Sequence, residues 1–168
     1  MQFRFEQVFP GPLERVEAAL LDPAFLERMA ELPKLGRPAL LDQQESPGTV
    51  RRRVRYAFAG ELSPAVTAVV DPAKLTWVED ATLDRGTHRT TFRILPDHYA
   101  NRLRCSGTFQ LQDVPGGVRR VAQGDLRVSF PLVGGKVERA IVSGLREHAD
   151  LEAAALRDWL ADTAQNSG

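Results

Sequence analysis

The chain has 168 residues, 43% of them hydrophobic, with 22 Lys+Arg balanced by 22 Asp+Glu. That length suits one domain with a real core, and a net charge of zero offers no bulk attraction for nucleic acid or an anionic membrane. The single cysteine, Cys105, excludes an internal disulfide and a cysteine cluster for zinc or iron–sulfur chemistry.

No run approaches the roughly 20 apolar residues of a membrane helix, and the opening Met1-Gln2-Phe3-Arg4-Phe5-Glu6 alternates like a strand rather than a leader. The expected setting is cytoplasmic, without integral membrane association. Residues 49–130 hold 13 Lys+Arg against 8 Asp+Glu, a net of +5, which leaves 9 against 14, or −5, for the remainder.

In chain order, Phe3, Phe5 and Phe9 alternate with polar residues and predict a first strand, ended by Pro10-Gly11-Pro12. Leu13, Val16, Ala19 and Leu20 recur at helical spacing. Asp22-Pro23 then caps a second short helix carrying Phe25, Leu26 and Met29, stopped by Pro33. Six strand-like stretches follow at about 38–45, 49–59, 74–83, 87–95, 101–112 and 118–130, punctuated by turn residues such as Ser46-Pro47-Gly48 and Pro115-Gly116-Gly117. The segment from Gly60 to Asp71 is apolar enough for a short helix, an extra strand or a lid. After Phe130-Pro131 and Gly134-Gly135, one long apolar-striped helix runs to about Ala161, with a domain spanning 1–163 and a disordered tail at 164–168.

Short turns between consecutive strands predict an antiparallel meander, and alternation assigns its faces. Val50, Val54, Tyr56 and Phe58 share one face, as do Phe92 with Ile94, Leu103 with Cys105 and Phe109, and Leu126 with Val128 and Phe130. These point toward the helix, whose stripe has nothing else to bury against. The other face is wet and arginine-rich, with Arg51, Arg53, Arg55, Arg89, Arg93, Arg102, Arg104, Arg119 and Arg127.

On the long helix Val137, Ile141, Leu145, Leu156 and Leu160 form the stripe, which His148 interrupts one turn before Glu152. That pair is open to three readings: a surface ion pair worth a few tenths of a kcal/mol, a polar anchor inside a ligand cavity, or a general acid and base. The three histidines, 88, 98 and 148, lack metal-site spacing, so neither metal nor cofactor is expected.

The run Phe130-Pro131-Leu132-Val133-Gly134-Gly135-Lys136-Val137-Glu138, followed by Leu156-Arg157-Asp158-Trp159-Leu160, resembles a bacterial family of proteins of unknown function within the START-like superfamily. Phe9-Pro10, the Leu21-Asp22-Pro23-Ala24-Phe25 step and the element order agree, so the resemblance spans nearly the whole chain. It implies an α+β helix-grip fold, a curved seven-stranded antiparallel sheet around the C-terminal helix with a hydrophobic cavity between them. The superfamily includes lipid and sterol carriers, quinone-binding proteins, plant hormone receptors and polyketide cyclases or aromatases. No catalytic residue is carried over by it.

A helix of about 27 residues, roughly 40 Å long, needs large inward side chains to fill its groove, and several here are small. Gly107, Ala122 and Gly124 on the sheet, and Ala140, Gly144, Ala149 and Ala155 on the helix, either leave a void or let the helix pack closer. The expected lining is Tyr56, Phe58, Trp77, His88, Phe92, Cys105, Phe109, Ile141, Leu145, His148 and Glu152. Thr90, Arg52 and Glu79 also lie on the inward register.

The leading functional reading is binding or carriage of a hydrophobic small molecule such as a lipid, an isoprenoid or quinone, or a polyketide, which requires no chemistry. The alternative is a cyclase, aromatase or hydratase type of enzyme using the same cavity. Polyanion binding through the arginine face ranks third and nucleic acid is not expected, since aromatic interleaving is absent there and arginine outnumbers lysine throughout, 19 to 3.

Overall fold

A computed structural model describes residues 1–166. Strand β1 (Gln2–Phe9) leads into helices α1 (Leu13–Leu21) and α2 (Pro23–Arg28), then strands β2 (Ala39–Ser46) and β3 (Thr49–Ala57). A short helix α3 (Pro64–Thr67) precedes β4 (Thr76–Asp84), β5 (Arg89–Pro96), β6 (Leu103–Val114), β7 (Gly117–Val128) and the long helix α4 (Gly134–Gln165). The seven strands form one antiparallel sheet in the order β1-β7-β6-β5-β4-β3-β2. Only the β1–β7 pairing departs from a simple meander, joining Phe5 to Ala122 and Phe9 to Val118.

Local chemistry sets the start of α2. The Asp22 carboxylate accepts from the Ala24 amide at 2.8 Å with Pro23 in the first turn of α2, as the sequence predicts. Segment 60–73 adds no strand: α3 and a single 3₁₀ turn at Pro72–Lys74 set Val66 and Val70 into the core. Helix α4 continues to Gln165, one turn beyond the expected end near Ala161 and into the expected tail, while 167–168 lie outside the described residues.

The turn before α4 explains part of its unusual sequence. A Cβ on Gly134 would sit 2.6 Å from the Val128 carbonyl oxygen, so the chain passes too close for a side chain. The Glu138 carboxylate accepts from the Val128 amide at 2.9 Å and ties the helix start to the end of β7.

The core divides along α4. Toward its C-terminus Ala153, Leu156 and Leu160 pack with Phe9, Val16, Phe25 and Met29. At its N-terminal end Val137 joins Val66, Val70, Phe92, Leu126 and Val128. Gly107 of β6 pairs with Gly124 of β7. A Cβ on Gly107 would lie 2.2 Å from the Gln123 carbonyl oxygen, and one on Gly124 would meet the Phe3 ring at 2.6 Å. Neighbouring backbone and the Phe92 and Phe3 rings cover these glycines, so they do not open a void.

Candidate functional site

Between the two core clusters the middle of α4 stands away from the sheet and leaves a cavity of about 560 Å³. Gly144 has nothing within 4 Å of where a Cβ would be, so the missing side chain contributes to open space. The walls are apolar: Phe5, Val50, Phe92, Phe109 and Leu126 from the sheet, Leu20, Phe25 and Met29 from the first helices, and Ile141 and Leu145 from α4. The lining turns solvent-exposed at Glu61, Ser63, Lys74, His98, Ser143 and Glu147, which marks the mouth. Lys34 Nζ lies 3.0 Å from Glu147 Oε2 at this rim.

Polar groups gather on one side of the cavity, each supplied by a different element. Arg120 of β7, only 5% exposed, is ion-paired to Glu152 of α4, and its Nε donates to Gln7 Oε1 of β1 at 3.3 Å. The guanidinium also lies over the Phe9 ring, 5.3 Å from its centroid, a cation–π contact. Burial works to raise the Glu152 pKa, but the Arg120 charge and hydrogen bond, with help from His148 and Arg52, hold it below the ordinary carboxylate value. Burial lowers the pKa of His148, which keeps the ring neutral near pH 7, and its Nδ1 is buried without a partner. His148 Nε2 stands 3.8 Å from Glu152 Oε2, beyond hydrogen-bond distance, so Arg120 and not His148 is the principal partner of Glu152.

Glu79 of β4 is of a different kind. It faces Val54 on β3 and Ile94 on β5, with Tyr56 and Arg52 on the two diagonals of β3. It makes no hydrogen bond or ion pair among the described residues. Burial, reinforced by the Glu152 charge, pushes its pKa up to about 7 against the opposing pull of Arg52 and Arg120. Tyr56 stacks on Trp77 with ring centroids 6.0 Å apart, and burial raises its hydroxyl well above the usual phenol value. Arg52 Nη1 donates to the Leu20 carbonyl at 2.6 Å, while its Nε and Nη2 are sealed from solvent without partners. Burial pushes the Cys105 thiol up to about 12, so it is an apolar wall and not a nucleophile. No group of three or more His, Cys, Asp or Glu side chains is placed to hold a metal among the described residues.

Of the eleven residues expected from the sequence, ten line the cavity: Tyr56, Phe58, Trp77, Phe92, Cys105, Phe109, Ile141, Leu145, His148 and Glu152. His88 does not. It sits at φ +53° in the turn before β5, where strand alternation no longer applies, and its Nδ1 meets Glu17 Oε2 at 2.8 Å. The cavity takes Glu17 and, at the mouth, His98 instead. Trp159 packs on Phe25 with ring centroids 5.8 Å apart and belongs to the core. Arg120 was missed, although a signal existed: Val118, Arg120, Ala122 and Leu126 share the inward register of β7.

The family model for a protein of unknown function (DUF2505) matches residues 4–160. The chain belongs to that family. A comparison with curated proteins gives no match. Among solved structures, the protein TTHA0849 from Thermus thermophilus superposes with a TM-score of 0.72 at 18% identity, over 97% of this chain and 99% of that one. The Zhui aromatase/cyclase from Streptomyces sp. R1128 gives 0.66 at 14% identity, over 100% and 98%. Protein Ms6760 from Mycobacterium smegmatis gives 0.62 at 18% identity, over 96% and 92%. At these identities the likeness is one of fold, and the fold is the helix grip expected from the sequence.

Proposed function

We propose that this protein binds or carries a hydrophobic small molecule, of lipid, isoprenoid or quinone, or polyketide type, in the cavity between the sheet and α4. The supporting observation is the apolar cavity of about 560 Å³, large enough for a drug-sized ligand, with a few polar groups gathered on one wall. Burying such a ligand removes apolar surface from water at roughly 25 cal/mol per Å². Among the described residues no helix is long and apolar enough to cross a membrane; a cytoplasmic setting is part of the proposal, on the strength of the lone, unpaired Cys105. Native mass spectrometry of protein purified from its own host, with organic extraction, tests the reading. A stoichiometric apolar adduct supports it; a protein that is empty and takes up no apolar probe overturns it.

Catalysis of the aromatase, cyclase or hydratase type is the second reading, favoured by Glu79, a carboxyl that exchanges protons near neutral pH beside the space a substrate would fill. In that case Glu79→Gln protein would retain its bound molecule unconverted while the wild type released a product of altered mass. Identical molecules extracted from both would exclude this reading.

A further inference from the structure

We propose that the Glu79 carboxyl and the Tyr56 hydroxyl form a donor site for a carbonyl oxygen carried in the body of the apolar ligand, so that ketone-bearing molecules are preferred over hydrocarbons of the same shape. The inference rests on the binding function proposed above and names the chemistry the cavity selects. Several of the charged side chains that reach the cavity have protein partners: Arg120 is committed to Glu152 and Gln7, and Glu17 to His88. The free donors of Arg52 are sealed, so no guanidinium edge is offered to a ligand carboxylate. Thr76, Trp77 and Thr90 also reach the cavity without a side-chain hydrogen bond to the described residues; Glu79 and Tyr56 are the acid and the phenol among these unpartnered groups. Both line the cavity, neither makes a hydrogen bond to the described residues, and neither has a polar atom among those sealed from solvent.

Their placement favours one acceptor between them. Tyr56 pairs with Trp77 and Val54 with Glu79, so the two side chains lie on one diagonal of the same sheet face, about 7–8 Å apart at the backbone. On either side Glu79 meets only Val54 and Ile94, which leave its carboxyl without a local partner. The charged and titratable groups facing it are Arg52 and Tyr56 from β3, Cys105 from β6, Arg120 from β7, and His148 and Glu152 from α4. Burial, and the Glu152 charge, favour the acid form below about pH 7, and that form has a proton to donate. A cationic ligand would meet Arg52 and Arg120 nearby, which opposes an amine at the same place.

The test uses 9-fluorenone and fluorene, which differ by the carbonyl alone, with 9-aminofluorene as the cationic comparison, titrated into the full chain by heteronuclear NMR between pH 6 and 8.5. His148 is already neutral over most of that range. Fluorenone is expected to bind about fivefold more tightly than fluorene at pH 6, as one net hydrogen bond provides, and that advantage is expected to shrink as pH rises past 7. Glu79→Gln, which keeps a donor but no proton to lose, retains the preference at every pH; Glu79→Leu, which leaves only the Tyr56 hydroxyl to donate, reduces it and removes its pH dependence while still binding fluorene. The NMR spectra report the fold of each variant. Equal binding of fluorenone and fluorene at pH 6 overturns the assignment and leaves the binding function standing. A preference for the amine that grows above pH 7 overturns it in favour of a cation site. If neither hydrocarbon nor ketone enters, the binding function falls and this assignment falls with it.

Discussion

Glu79 and Asp80 are neighbours on β4 and carry the same functional group, yet they face opposite sides of the sheet and are driven in opposite directions. On the outer face Arg51 binds Asp80 with two hydrogen bonds of 3.0 Å and Arg93 adds a third, and these partners hold its pKa below the ordinary value. On the inner face Glu79 has no such partner, and burial drives its pKa up to about 7. Burial alone does not set the direction, since the Asp80 side chain is only 6% exposed. The deciding difference is whether an arginine donates to the carboxylate directly or only acts from a distance.

The strongest way to break this contrast is to remove the one inner arginine that has a direct carboxylate partner. Arg120→Met leaves Glu152 charged and unpaired in the cavity, and is expected to cost about 3–5 kcal/mol in denaturant unfolding. Adding Glu152→Leu should recover most of that loss, because the uncompensated charge goes with it.

Helix α4 repeats the comparison in apolar terms. Leu156 is fully buried at the dry end, so Leu156→Ala should cost about 3 kcal/mol. Leu145 faces the cavity, and Leu145→Ala should cost less than about 1 kcal/mol while enlarging the space, because little packing is lost there. Comparable losses at both positions would mean the middle of α4 packs as tightly as its end.

Proton linkage separates the two carboxyls by sign. The Glu79 pKa is raised in the folded protein from 4.5 to about 7, so its contribution is fully present below 4.5 and is lost as pH rises toward and through 7. Glu79→Gln should therefore be more stable than wild type at pH 8, by on the order of 1–3 kcal/mol, with the advantage gone by pH 4. The Asp80 pKa is lowered, so its contribution is present above the ordinary 3.8 and is lost as pH falls through the folded value. Asp80→Asn should cost about 1 kcal/mol at pH 7, since its arginine partners are largely exposed, and the cost should vanish in acid. Stability measured against pH on both variants checks the pair; parallel profiles would show that the two faces are electrostatically equivalent.

Much of the site was legible because alternation is a local property. Tyr56, Phe92, Cys105 and Phe109 could be assigned inward from their own strands, and Ile141, Leu145 and His148 from the spacing of α4. Arg120 could have been found the same way, from its register with Val118 and Ala122. What could not be read was its partnership, since Gln7, Arg120 and Glu152 come from the start, the late middle and the end of the chain. His88 failed for the opposite reason: it looks like the first residue of a strand, but its positive φ takes it out of the alternating pattern. Gly107 and Gly124 read as candidate empty space, whereas the adjacent strand's backbone and phenylalanine rings lie in contact with them.

The order of strands and helices, the two faces of the sheet and the stripe of the long helix were determined by the sequence itself, because periods of 2 and 3.6 residues are set by backbone geometry within each segment. Tertiary structure alone decided that β1 pairs with β7, that the middle of α4 leaves a cavity between two packed ends, and that Glu79 and Asp80 titrate in opposite directions. Those outcomes depend on the water and charge that distant segments bring or remove, and such long-range desolvation leaves no trace in the local pattern.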